Sequence, residues 1–130
     1  MADLLTEARS WVGTPWQHNQ ACKDGGVDCV QFVRAVYKAI GADVGKTQNY
    51  YRQPVGNSLL DYLDSLPHTY RVDAVAPGSL LVFKIGGVPH HVGIAVDDNT
   101  FIHASQKAGV VEQTLGAWKR KLVAIFEVRV

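Results

Sequence analysis

The chain has 130 residues, of which 47% are hydrophobic, 19% charged and 9% aromatic, which suits one globular domain over residues 1–130 and excludes a disordered polymer. Thirteen basic against twelve acidic residues give a formal net charge of +1, so neither nucleic acid nor a membrane is expected as a partner. No apolar run approaches the ~18 residues of a membrane-spanning helix, and the acid-bearing start MADLLTEARS is not a secretory leader, so synthesis in the cytoplasm is expected.

Asp3 is placed to cap a first helix carrying Leu4, Leu5, Ala8 and Val12 on one face and ending at Gly13. A polar loop follows from Thr14 to Val27. The next run, DCVQFVRAVYKAIG, is rich in β-branched residues. Its apolar positions Val30, Val33, Val36, Tyr37 and Ile40 nevertheless recur at helical spacing, which predicts a helix opening at Asp28 or Cys29 and closed by Gly41. A third helix is expected over Ser58 to Leu66, capped by Asn57 and stopped by Pro67. The second half changes period. Ser79–Ile85, Val92–Val96, Thr100–Ala104, Gly109–Gln113 and Leu122–Val130 read as short strands between turn-forming stretches. Helices followed by an antiparallel meander define an α+β domain.

Two cysteines are too few for a disulfide scaffold. Cys29 opens a helix, where unpaired backbone N–H groups and the positive end of the helix dipole favour the nucleophilic thiolate. The alternative is a small buried hydrophobe. Cys22 lies in the polar loop with no evident role. His91 and His103 stand on successive strand runs. If Asp97-Asp98-Asn99 forms a three-residue loop, Val96 lies opposite Thr100 and His103 opposite Gly93. Both imidazoles then project from one face as diagonal neighbours. A two-residue loop would separate them. Thiol, imidazole base and an orienting polar group are the elements of nucleophilic catalysis. An ion pair between them would lower the Cys29 pKa below ~8.5 and raise that of His91. His90 should point the other way, in a structural or surface role, and His68 should have no chemical role. His18 stays open because its loop leads into Cys29.

The ordered set Gly13-Thr14-Pro15-Trp16, Asp28-Cys29-Val30-Gln31-Phe32-Val33, Pro77-Gly78-Ser79-Leu80-Leu81-Val82-Phe83, His91-Val92-Gly93-Ile94-Ala95-Val96 and Phe101-Ile102-His103-Ala104 resembles the NlpC-type cell-wall cysteine peptidases of the papain-like superfamily. The resemblance implies N-terminal helices packed on a C-terminal antiparallel sheet. It also implies Cys29 as nucleophile, His91 as general base and His103 as the orienting third residue. The implied substrates are peptidoglycan stem peptides, with no cofactor and no metal. The chain departs from the family in Val30-Gln31, where Ser-Gly is usual, in Ser79, where Asp is common, and in Trp16, where many members carry a tyrosine thought to help hold the oxyanion. Trp16 and His18 are therefore candidate oxyanion or substrate contacts. Val30 and the short, leaderless chain resemble the phage-tail and gene-transfer-agent branch, which implies particle proteins as further partners, a virion or phage-like tail as location, and action at the cell wall in the periplasm.

Three other readings stay open. Cys22, Cys29, His91 and His103 make a Cys2His2 set acceptable to zinc, although six residues separate the cysteines, against the usual two to four. The same fold can serve as an inactive structural tail component. It can also act on a different amide substrate. Lys119-Arg120-Lys121 reads as a solvated turn, and Tyr50-Tyr51-Arg52 as a possible cleft border.

Overall fold

The computed structural model describes residues 2–42 and 58–128. Its elements run α1 (Ala2–Ser10), β1 (Ala21–Cys22), β2 (Gly26–Val27), α2 (Cys29–Ala39), α3 (Ser58–Ser65), β3 (Thr69–Val72), β4 (Leu80–Ile85), β5 (Val88–Ala95), β6 (Thr100–Ser105), β7 (Gly109–Thr114), a 3-10 turn (Gly116–Lys121) and β8 (Leu122–Val128). The fold is α+β, as the change of period along the chain implies. None of the described helices is long and apolar enough to cross a membrane.

Strands β4 to β7 form the expected meander, and β8 returns to pair with β4. The sheet order is β3-β8-β4-β5-β6-β7, and every pairing is antiparallel. Alternation sends Leu80, Val82, Val92, Ile94, Ile102 and Ala104 to the main core with the helices. Leu81, Phe83, Ala95 and Phe101 enter a smaller cluster with Leu115, against which Trp118 packs.

Helix α2 is central. Its buried stripe of Phe32, Val33, Val36 and Tyr37 faces the core. Its N-cap is Asp28, whose carboxylate accepts from the Gln31 N–H at 2.9 Å. Gly41, at φ 88°, ends it in the left-handed conformation. Tyr37 OH donates to the Gly78 carbonyl, joining the helix to the start of β4. Ser79, the departure from the family's Asp, is fully buried. It accepts from the Ala76 N–H at 2.9 Å and donates to Glu127 at 2.7 Å. The hydroxyl thus ties the turn before β4 to β8.

Several expectations need correction. Helix α1 begins at Ala2, so Asp3 lies within it and is not its cap. Val12 is 46% exposed, and Trp11 is buried in its place, because the helix ends at Ser10 before Val12 can join its apolar stripe. Helix α3 ends at Ser65, one residue early. Strand β3 and the β1–β2 hairpin were not expected; both are short and carry exposed positions, so neither shows a clear apolar alternation. β5 starts at Val88, four residues before its apolar run. Asn57 and Tyr50-Tyr51-Arg52 lie outside the described residues. Lys119, Arg120 and Lys121 are exposed on the 3-10 turn, as read.

Candidate active site

The register of β5 on β6 decides the site. Ile94 pairs with Ile102 and Ala95 with Phe101, and the Val96 N–H donates to the Thr100 carbonyl at 2.9 Å. This is the register of the three-residue loop. Asp97 Oδ1 fixes that loop by accepting from the Asn99 N–H, the Thr100 N–H and the Thr100 hydroxyl at 2.8, 2.8 and 2.7 Å. These bonds, the Thr100 hydroxyl foremost, lower the Asp97 pKa. Gly93 then makes room for His103. A Cβ at Gly93 would lie 2.9 Å from a Phe101 ring carbon and 3.1 Å from the His103 Cβ, so close that these side chains would have to shift.

His91 and His103 consequently meet. His91 Nε2 and His103 Nδ1 are 2.6 Å apart, and His103 Nε2 is 2.7 Å from Gln113 Oε1. The rings are 6% and 0% exposed. Phe101 stacks on His103 at 4.3 Å between ring centres, while Trp118 lies 5.4 Å from His91 and 5.2 Å from His103. Lys121 Nζ sits 5.0 Å from the Trp118 ring centre. An aromatic wall thus encloses the imidazole pair.

Cys29 joins them from the helix side. The Val96 amide faces β6 and the Ala95 amide faces β4, where it donates to Ser79, so the even-numbered amides of β5 point toward β6. The β5–β6 ladder ends at Ile94–Ile102. The next amide in line, that of Val92, hydrogen-bonds to the Cys29 sulfur. The thiol therefore sits against the residue that follows His91.

Burial pushes the Cys29 thiol up to about 12. The Val92 amide acts in the opposite sense, the Asp28 carboxylate adds to the rise, and the amides of Val30 and Cys29 oppose it. His91 is brought down to about 3, by burial first and then by His103 and His90. His103 is lowered by burial, against the opposing pull of Gln113. Both directions run against the ion pair expected from the sequence. The helix-start donors are present, but burial outweighs them.

Trp16 and His18 flank this corner. Trp16 forms a parallel bridge with Val27, packs against the main core, and lies 6.5 Å from the His18 ring. Asp28 reaches back over the loop, accepting from the Asn19 N–H at 2.5 Å with His18 Nδ1 at 3.8 Å. The loop is also pinned to β7, where the Val110 N–H donates to the Thr14 carbonyl at 2.9 Å. Gln31, a departure from the family, has a role here. Its amide donates to Asn19 at 3.1 Å and accepts from Arg34 at 2.9 Å.

Cys22 stands apart, exposed on β1. His68 is exposed in the turn after α3. His90 is partly buried, and neither ring nitrogen has a partner. Among the described residues no three His, Cys, Asp or Glu side chains gather as metal ligands. One nitrogen of each imidazole faces the other ring instead. Gln113 and Trp118 were not anticipated. Alternation along β7 puts Gln113 on the His103 face, so working out the β6–β7 register would have found it. Trp118 sits on a 3-10 turn whose path has no local signal.

The chain belongs to the NlpC/P60 family, whose model matches residues 10–127. It is 25% identical over 121 residues to the murein DD-endopeptidase MepS/murein LD-carboxypeptidase of Escherichia coli K12, covering 91% of this chain and 57% of that protein. It is 32% identical over 117 residues to the "Probable endopeptidase NlpC" of the same strain, covering 88% and 68% respectively. The chain thus spans little more than half of the first of these relatives. Among solved structures, the NlpC/p60 domain of the peptidoglycan hydrolase SagA superposes with a TM-score of 0.70 at 24% identity, covering 99% of this chain and 97% of that one. An NlpC/P60 family protein from Bacillus cereus gives 0.72 at 20% identity, covering 95% and 38%. The two superpositions bear on the fold alone.

Proposed function

We propose that the chain is a peptidoglycan hydrolase, a cysteine endopeptidase that cleaves cell-wall stem peptides with Cys29 as nucleophile, His91 as general base and His103 as the residue that orients His91. The observation that carries this reading is the meeting of three groups from three elements. A helix-start thiol lies on the Val92 amide, next to an imidazole whose far nitrogen bonds a second imidazole. The names of the endopeptidase relatives supply the substrate class.

In the proposed step the Cys29 thiol gives its proton to His91 Nδ1, and the sulfur attacks the carbonyl carbon. The carbonyl electron pair moves to oxygen, held by the Cys29 amide at the helix start together with a ring N–H of Trp16 or His18. Collapse breaks the C–N bond, and His91 returns the proton to the leaving amine. Water, deprotonated by His91, then hydrolyses the thioester and restores the thiol. Because the resting pair is neutral, proton transfer accompanies attack and does not precede it.

Incubation with a panel of defined muropeptides tests the reading and identifies the bond. Cleavage at one amide supports it, while cleavage only of unrelated amides would replace the substrate class. Delivery by a phage tail or phage-like particle belongs to the proposal through the resemblance at Val30, and antibody labelling of purified particles checks it.

A further inference from the structure

We propose that Gln113 is a positioning residue for this site, its side-chain oxygen fixing the tautomers of both imidazoles so that His91 Nδ1 is left bare to take the Cys29 proton. The final clause rests on the function proposed above; the tautomer assignment does not.

A neutral imidazole carries one N–H, so each ring either donates at Nε2 and accepts at Nδ1 or does the reverse. Gln113 Oε1 is only an acceptor, so His103 Nε2, 2.7 Å away, carries the hydrogen. His103 Nδ1 is then bare and accepts from His91 Nε2–H across 2.6 Å. His91 Nδ1 is left with a free lone pair. Turning the amide round reverses every bond. The NH2 group would donate to His103 Nε2, His103 Nδ1–H would donate to His91 Nε2, and His91 would hold its own hydrogen on Nδ1. Such a ring cannot receive a proton from a thiol. One amide orientation at the sheet edge therefore decides whether the imidazole two bonds away can act as a base.

The surroundings suit this role. Both rings are buried beneath Trp118 and Phe101, so solvent is poorly placed to set the tautomers. Gln113 lies opposite Phe101 and His103 opposite Val111, which makes Gln113 and His103 diagonal neighbours on one face. The adjacent carboxylate, Glu112, points to the other face and is held by Arg9 at 2.9 and 3.2 Å. The acceptor offered to His103 is therefore neutral, and it orders the rings without drawing a proton onto His103. Burial also keeps both imidazoles uncharged near neutrality, the state in which a tautomer is defined.

The test uses the full chain with 15N-labelled histidine, reading tautomers from long-range 1H–15N correlations at neutral pH beside muropeptide cleavage rates. Wild type should show His91 and His103 as Nε2–H. Gln113→Glu keeps an acceptor and should keep both tautomers at pH values above the His103 titration, which its charge raises. Gln113→Met loses it and should populate Nδ1–H in both rings, with kcat falling about tenfold or more and KM little changed. Gln113 is exposed on an edge strand, so the melting temperature of these variants should stay near wild type. Unchanged tautomers in Gln113→Met, or Nδ1–H rings in wild type, would overturn the inference. If Gln113→Met shifts the tautomers while wild type cleaves no muropeptide, the positioning role stands and the proposed function fails. If wild type cleaves muropeptides and Gln113→Met leaves the tautomers alone, only the positioning role fails.

Discussion

His91 Nε2 lies 2.6 Å from His103 Nδ1, although the two residues belong to different strands and neither faces the main core. The bond depends on a three-residue loop closed by Asp97 and on a glycine at position 93 that lets His103 lie against β5. His91→Ala should therefore slow muropeptide cleavage by more than ~100-fold, the low end of general-base contributions. His103→Asn and His103→Gln retain a group able to hold the His91 ring and should lose less than His103→Ala. Steady-state kinetics of the four variants check this order, and equal losses at position 103 would contradict an orienting role.

Gly93→Ala should be more damaging than its size suggests. The new methyl meets the Phe101 ring and the His103 Cβ, so His103 must move. A shift of a few tenths of an ångström at His103 misaligns a catalytic hydrogen bond and slows the reaction, while overpacking costs about 1–3 kcal/mol. Activity should thus fall much further than the urea midpoint implies. A variant that keeps wild-type activity would show that His103 is not tightly placed.

The neutral pair has a pH signature in stability. His91 falls from its ordinary 6.5 to about 3 on folding, so below pH 6.5 the unfolded chain takes up a proton that the native state refuses. Stability should decline as pH drops from about 6.5 toward 3. Cys29 rises from 9.0 to about 12, so above pH 9 the unfolded chain loses a proton that the native state keeps, and stability should decline again. Urea midpoints across this range measure both limbs. His91→Gln should make the acid limb shallower but not flat, because burial lowers His103 too. An unchanged acid limb would mean that His91 is not buried neutral.

Alkylation separates a neutral thiol from a thiolate. Cys22 is exposed and Cys29 lies in a crowded corner that pushes its thiol upward, so iodoacetamide at pH 7 should label Cys22 first. Peptide mapping follows both sites. Rapid labelling of Cys29 at pH 6 would show that the ion pair forms in the resting enzyme after all.

Asp28 carries two structural duties, capping α2 and holding the loop that bears Trp16 and His18. Asp28→Ala should cost about 2 kcal/mol by loss of the cap and lower activity as well. Asp28→Asn, which keeps a capping oxygen, should cost less. Denaturant titration of the two variants checks this, and equal destabilisation would remove the cap from the account.

The parts of the site that depend on period and loop length were legible beforehand. Helical spacing within DCVQFVRAVYKAIG placed Cys29 at a helix start, and one assumption about Asp97-Asp98-Asn99 placed both histidines on one face. The protonation state was not legible, because it depends on how tightly Cys29 and His91 are enclosed. Much of the enclosure of His91 comes from distant residues such as Phe83 and Trp118. Strand β3 was missed for the opposite reason: its residues are half exposed and pair only with β8 at the sheet edge, so no apolar alternation marks it.

The central claim is that Cys29 does the chemistry. The most direct measurement incubates wild type and Cys29→Ala with one defined tetrapeptide muropeptide and reads the products by mass spectrometry. The account predicts, for wild type, two products whose masses sum to the substrate plus one water, and for Cys29→Ala, intact substrate with an unchanged melting temperature. Cleavage by folded Cys29→Ala at the wild-type rate would contradict it.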